Sequence, residues 1–259
     1  MRRRRALFGA LVLVVAACGS SSSSAPGLPD IAALKCPAQR TTPAVAPSLD
    51  ALASLAAKEQ APITGRIVHA GHGRAGAEQP LDIALADRPS LARELRAAAG
   101  VACRLRTTGD ARRAGYIISA NFTSGVGTHW TNWRLVDAPF DPTRPSMLLY
   151  APRLGETRLV GFSYWVRAGE PVGPAGFAGD ADHWHRHFGL CFDAHGLLER
   201  ENVTVRADCG GRWLNGSDMW MLHAWVVPGE ANVWGVFAAL NPVLCPRNGP
   251  DILRCPTSG

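Results

Sequence analysis

Tyr116-Ile117-Ile118-Ser119-Ala120-Asn121-Phe122 is where the chain changes character. Upstream, apolar residues recur at helical spacing. From here on, aromatic and β-branched residues rise, and Gly, Pro and Asn punctuate the chain about every ten to fifteen residues, the pattern of an antiparallel β region. It predicts strands at Tyr116–Phe122, His129–Arg134, Ser146–Tyr150, Leu159–Val166, His183–Asp193, Asn202–Ala207, Met219–Val227 and Val233–Ala238. All eight tryptophans fall in this part. Working backwards, Pro89-Ser90 starts a helix with Leu91, Leu95, Ala98, Ala99 and Ala102 on one side. Asp110 caps a short turn that runs through Arg113. Ser48 caps an earlier helix carrying Leu49, Leu52, Leu55 and Ala56 and closed by Pro62, and residues Ile63 to His69 read as a short strand. There is no internal repeat. The fold class is therefore α+β, with N-terminal helices followed by a mainly antiparallel β-sheet domain. Residues 48–115 form the helical segment and residues 116–259 the β-rich domain, and 48–259 reads as one folded unit.

The first residues follow a different logic. Arg2 to Arg5 make a positive n-region and Leu7 to Val15 a short apolar h-region, well under the about 20 residues a spanning helix needs. Val15-Ala16-Ala17-Cys18 then puts small residues directly before a cysteine. The order reads as a secretory signal over residues 1–17. It resembles the bacterial lipobox, in which the cysteine, here Cys18, is acylated and becomes the new N-terminus. The alternative is an ordinary signal peptide with an incidental cysteine. Residues 18–47 are a flexible Ser- and Pro-rich tether. Loss of the signal removes four of the 27 basic residues and none of the 21 acidic ones, so the net charge falls from +6 to +2. No Lys/Arg run in the remainder points to a nucleic-acid partner. The expected location is the cell envelope, lipid-anchored to a membrane and facing out of the cytoplasm; no protein partner can be named from the sequence.

Cysteine usage agrees with export. Beyond Cys18 the chain carries Cys36, Cys103, Cys191, Cys209, Cys245 and Cys255, an even set that suggests up to three disulfides in an oxidising compartment. Pairing is not readable, although Cys245 with Cys255 would close a small loop and Cys191 with Cys209 a longer one. A free Cys191 would instead be a candidate thiolate ligand. No Cys-x-x-Cys pair supports a redox motif.

Three stretches carry candidate chemistry. In Asp182-His183-Trp184-His185-Arg186-His187, alternate side chains of a strand share a face, so His183, His185 and His187 point one way. Imidazoles at i and i+2 are a usual way of presenting two ligands to one metal ion, a third arriving from another strand. His223 and His129 are the candidates for that third ligand. The bland alternative is a wet polar face. In Met219-Trp220-Met221-Leu222-His223-Ala224-Trp225, alternation groups Met219, Met221, His223 and Trp225. Thioether with imidazole favours copper, whereas two methionines and a tryptophan are also ordinary core filling. In Gly125-Val126-Gly127-Thr128-His129, the glycines permit a tight backbone before the histidine, and a lone Gly-x-Gly is weak support for phosphate binding. Asp182, Glu199 and Glu201 lie near enough in sequence to supply a general base, with no spacing that says so. No G-x-S-x-G, P-loop or H-E-x-x-H occurs.

Gly127-Thr128-His129-Trp130-Thr131-Asn132, then Asp141-Pro142-Thr143-Arg144-Pro145-Ser146 before an apolar run, then Leu222-His223-Ala224-Trp225, and finally Asn241-Pro242 occur in an order that resembles a widespread group of uncharacterised bacterial secreted proteins and lipoproteins. Their motifs are Gly-x-His-aromatic-x-Asn, Asp-Pro-x-x-Pro-Glu and Leu-His-x-Trp; Ser146 stands here where the group has Glu. The resemblance covers about residues 90 to 245. It implies relatedness and no reaction, and it picks out His129 and His223 as the motif histidines. His69, His72 and His195 match no motif and read as surface residues.

Together these readings point to a membrane-anchored extracytoplasmic lipoprotein that binds a transition metal, Zn or Cu, with His185, His187 and His223 as core ligands and His129 and His183 as alternates or supporting groups. The competing classes are a metal-dependent hydrolase or oxygenase, and an envelope-interaction module whose tryptophans line a groove.

Overall fold

The computed structural model describes residues 27–37, 84–153, 156–168, 173–179, 182–215, 219–230 and 232–244. Helix α1 spans Arg88–Ala102 and α2 spans Thr108–Arg113. The strands are β1 (Ile117–Thr123), β2 (Gly127–Thr131), β3 (Met147–Arg153), β4 (Glu156–Arg167), β5 (His185–Arg186), β6 (Leu190–Phe192), β7 (Leu198–Arg200), β8 (Arg212–Leu214) and β9 (Met219–Ala224). Among the described residues these make a six-stranded antiparallel sheet, β1-β2-β3-β4-β9-β5, and a three-stranded one, β7-β6-β8. The α+β architecture is the one expected. The N-terminal signal, Cys18, Cys245, Cys255, the 48–62 helix, the 63–69 strand, His69 and His72 lie outside the described residues.

Strand alternation sorts the main sheet into two faces. Leu148 and Tyr150 of β3, Phe162 and Tyr164 of β4, and Leu222 and Ala224 of β9 form one core with Leu91, Leu95, Ala98 and Ala102 of α1. Those helix positions sit at i, i+4, i+7 and i+11, one stripe of an amphipathic helix that Pro89 opens. On the other face, Met147, Trp165, Met219 and Met221 pack with Leu190, Phe192 and Leu198 of the small sheet. Further along that face, Leu149, Ala151 and Trp225 pack with Leu240 and Leu244 from the C-terminal turns. All six residues of β9 are buried as a result.

Four local expectations change in detail. The short helix α2 is capped by Thr107, whose side-chain oxygen accepts from Asp110 N at 3.2 Å, while the Asp110 carboxylate accepts the Thr107 N–H at 2.9 Å. Asp110 is thus the third residue of a capping box and Thr107 the cap. The single strand expected over His183–Asp193 is broken: β5 belongs to the main sheet and β6 to the small one. Gly189 between them has φ +55, and a Cβ there would stand 2.2 Å from the Val203 carbonyl oxygen, so the turn requires glycine. Asn202–Ala207 is an irregular segment running into a 3-10 turn (Arg206–Asp208), and Val233–Ala238 is a series of turns with Gly235 at φ +112.

Two disulfides, Cys36–Cys103 and Cys191–Cys209, form among the described residues, as an extracytoplasmic, oxidising location allows. The first ties the N-terminal segment to the end of α1 across 67 residues, a closure that stabilises by about 4 kcal/mol on the chain-entropy argument. The second links β6 to the turn before β8. No helix among the described residues is long and apolar enough to cross a membrane.

The face that carries Trp225 permits no larger residue at Gly161, because a Cβ there would meet the indole at 2.8 Å. Gly161→Ala is expected to lower stability by about 1–3 kcal/mol in urea unfolding, the usual cost of overpacking. A loss below about 0.5 kcal/mol, the scatter of surface changes, would show that Trp225 yields without cost.

Candidate histidine site

Four histidines from three parts of the chain meet on the face covered by the small sheet. His223 is on β9, directly opposite Ser163 of β4. His185 is on β5, opposite Met221 of β9. His187 follows β5, and His129 is on β2, opposite Leu149 of β3. The ring centroids of His185 lie 5.0 Å from those of His187 and 5.1 Å from those of His223, and His129 lies 6.2 Å from His223. Strands β2 and β9 are three strand steps apart, about 14 Å in a flat sheet at about 4.8 Å per step. Their imidazoles can come this close only because the sheet curls toward this face. His183 stands outside the group: its ring is partly exposed, and only its carbonyl faces His185, whose Nδ1 lies 3.4 Å away. His195 is exposed.

Burial dominates the electrostatics. The Nε2 atoms of His185, His187 and His223 and the Nδ1 of His129 are all sealed from solvent. Desolvation holds the His129 and His185 imidazoles well below the usual histidine range, and each is pushed further down by the charge its neighbours would carry. His223 is lowered from 6.5 to about 4 by burial, partly offset by a backbone hydrogen bond. In that bond Nδ1 donates to the Ala239 carbonyl at 2.8 Å, which leaves the lone pair of the neutral ring on Nε2. At neutral pH these three rings are therefore neutral bases with their proton positions partly fixed by the backbone.

Glu201 completes the group. It arrives on the chain after β7, and its carboxylate lies 3.8 Å from His187 Nδ1, with 2% and 7% of the two side chains exposed. Burial raises its carboxyl to about 7. A cavity of about 30 Å³ opens beside these residues; His129, His187, Glu201, Ser119 and Thr131 are among the residues around it, although the surface it presents is almost wholly apolar. The Ser119 and Thr131 hydroxyls are 2.6 Å apart. The apolar wall includes Met147, Trp165, Leu198 and Met221.

Other candidates have structural roles. The Asp182 carboxylate accepts the Phe177 N–H at 2.7 Å and holds a loop. Glu199 is exposed. Cys191 is bonded to Cys209, so it offers no thiolate to the histidines. Met219 is fully buried in an apolar cluster, whereas Met221 reaches the cavity. Ser119, Thr131 and Trp165 carry no local motif that marks them; only the folded sheet brings them to the site. Among the described residues, no group of three or more His, Cys, Asp or Glu side chains is placed so that it could hold a metal ion.

The shifted histidines make the protein acid-sensitive. A histidine whose folded pKa is depressed takes up a proton more readily in the unfolded chain, so the stability present above about pH 6.5 is lost as pH falls toward the folded value. For His223 the window runs from 6.5 to about 4. The effect of that ring alone is on the order of 3 kcal/mol. Glu201, raised from 4.5 to about 7, works in the opposite sense over that range and offsets one of the three rings. Thermal melts in the presence of a chelator should show Tm falling between pH 6.5 and 4.5, and His223→Gln should flatten the fall. A pH-independent Tm would contradict the enclosure of these rings.

Compared with family models, with curated proteins and with solved structures, the chain matches none.

Proposed function

We propose that the protein is a lipid-anchored extracytoplasmic lipoprotein that binds a transition metal, Zn or Cu, through His185, His187 and His223. The observation that carries the reading is the distance of the His185 ring from the rings of His187 and His223. Two imidazoles on one tetrahedral ion, with metal–nitrogen bonds of about 2.0–2.1 Å, hold their centroids about 5 Å apart. His185 lies 5.0 and 5.1 Å from the other two. Neutral imidazole is the ligating form, and burial keeps the His185 and His223 rings neutral. The Ala239 carbonyl at His223 Nδ1 and the Glu201 carboxylate near His187 Nδ1 are the outer partners that metal-bound histidines use to fix ring orientation. Closing the donors on an ion then takes rotation of the rings, whose terminal torsion is soft. His183 serves through its backbone, and membrane attachment runs through Cys18.

The reading as an envelope-interaction module calls for exposed aromatics and scattered histidines; Trp130, Trp165, Trp220 and Trp225 are buried, and four histidines cluster. The reading as a metal-dependent hydrolase or oxygenase draws support from the cavity and from Glu201 beside His187.

Elemental analysis and titration of the mature protein should find close to one equivalent of Zn or Cu. His185→Ala with His187→Ala should abolish binding, and His195→Ala should leave it intact. A protein that takes up neither metal would remove the proposal. Fractionation tests the anchor: Cys18→Ala should shift the protein out of the membrane fraction, and equal membrane association of variant and wild type would contradict it.

A further inference from the structure

We propose that the exposed face of α1 and α2 is a membrane-docking surface, on which Arg93, Arg96, Arg104, Arg106, Arg112 and Arg113 meet the phosphate groups of anionic phospholipids. The proposal rests on one part of the reading above, the lipid anchor at Cys18, and does not draw on the histidines.

The distribution of charge carries it. Residues 88–116 hold seven arginines and two carboxylates, a net +5, whereas the whole chain after the signal carries +2. The rest of that chain is therefore net negative, at −3. So uneven a division marks one surface and not a general property of the protein. The fold then sorts these charges. Leu91, Leu95, Ala98 and Ala102 of α1 face the core, so Arg93, Arg96 and, just past the end of the helix, Arg104 emerge on the opposite side, exposed. Arg106, Arg112 and Arg113 are exposed along the following turn and α2. Both carboxylates are half-buried and engaged. Glu94 accepts the Ala178 N–H at 2.7 Å, and Asp110 accepts the Thr107 N–H at 2.9 Å and pairs with Arg113. Every exposed charged side chain from Arg88 to Tyr116 is thus an arginine. The adjoining strand β4, joined here by the bond from Leu159 N–H to the Arg106 carbonyl, brings Glu156, whose carboxylate is held by Arg158 at 2.8 Å.

The second observation is where the tether leaves the fold. Cys36–Cys103 bonds the N-terminal segment to the end of α1, next to Arg104, and Leu28 packs on the core that α1 covers. From Gly27 nine residues lead back to Cys18, so anchor and fold are separated by at most about 30 Å of extended chain. Such a tether keeps the body at high effective concentration beside the bilayer, where weak contacts suffice to lay one face on it. The chemistry of the face suits phosphate. The guanidinium fork matches phosphate oxygens. Between the arginines the exposed residues are Ala97, Gly100, Thr107, Ala114 and Gly115, which carry no large apolar group to insert, so the face rests on headgroups.

The test uses the chain from residue 18 with Cys18→Ala, free of lipid, and phosphatidylcholine vesicles with or without phosphatidylglycerol. The lipid-free chain should bind the anionic vesicles and not the neutral ones. Binding should vanish at about 0.5 M salt, where screening acts beyond roughly 4 Å. Arg93→Gln with Arg96→Gln and Arg104→Gln should weaken it roughly hundredfold, at about fivefold for each arginine near an anionic surface. Arg200→Gln with Arg206→Gln and Arg212→Gln, exposed arginines of the small sheet and its turn, should leave it nearly unchanged. Modification by phenylglyoxal, which needs none of these arginine variants, should be slowed by anionic vesicles at Arg93, Arg96 and Arg104 and not at Arg200, Arg206 and Arg212. No binding to anionic vesicles, an equal loss in the two triple variants, or equal protection of the two sets would overturn the docking face. The native lipidated protein should stay in the membrane pellet at the same salt. That retention, together with failure on vesicles, would overturn the face and leave the anchor standing. Release of the native protein by salt would contradict the anchor, while the vesicle result still decides the face.

Discussion

Strand β9 has no face turned to water, and the rest of the molecule answers that constraint. A strand buried on both sides must be covered on both sides, and one sheet cannot do it. The α1 layer takes Leu222 and Ala224; the small sheet and the C-terminal turns take Met219, Met221 and Trp225. Covering the second side also encloses the one polar side chain on β9, His223. Polar groups buried this way must be neutral or partnered. The neighbours that converge on it are other imidazoles, which satisfy that condition only while unprotonated.

The curl of the main sheet converts this local burial into a site. Ser163, opposite His223 on β4, and Gly161, which leaves room for the Trp225 indole, keep the middle of the concave face shallow. Side chains from β2 and β9 can then reach over it. Had β4 carried large residues at both positions, the histidines of the two strands would be held apart. The small residues at the centre matter as much to the geometry as the imidazoles at the rim.

How far the sequence could be read follows from the range of each interaction. Long strands with marked alternation or a β-branched, aromatic run, β1, β3, β4 and β9, are legible because their pattern is local. The helix opened by Pro89 is legible for the same reason. The strands β7 and β8, of three residues each, are too short to show a period and exist through pairing with β6. Val233–Ala238 has strand composition, yet Gly235 at φ +112 and contacts to neighbouring turns prevail over propensity. Within the site, the spacing of His185 and His187 is a local signal. That His129 and His223 approach them is not, since it depends on curl, and nothing near Glu201 in the chain tells that it will meet His187.

Gly189 links the two levels. Its left-handed backbone carries the chain out of the main sheet into the small one, with His187 two residues before it and Leu190, a wall of the cavity, directly after. The angle at which one sheet roofs the other therefore depends in part on the backbone torsions of this one residue. A side chain there would meet the Val203 backbone within 2.2 Å. Drift in this protein's sequence thus has little freedom to retune the chamber independently of the roof: enlarging one without tilting the other has to come from wall residues such as Leu198 and Met147, whose side chains reach inward while their strands stay in place.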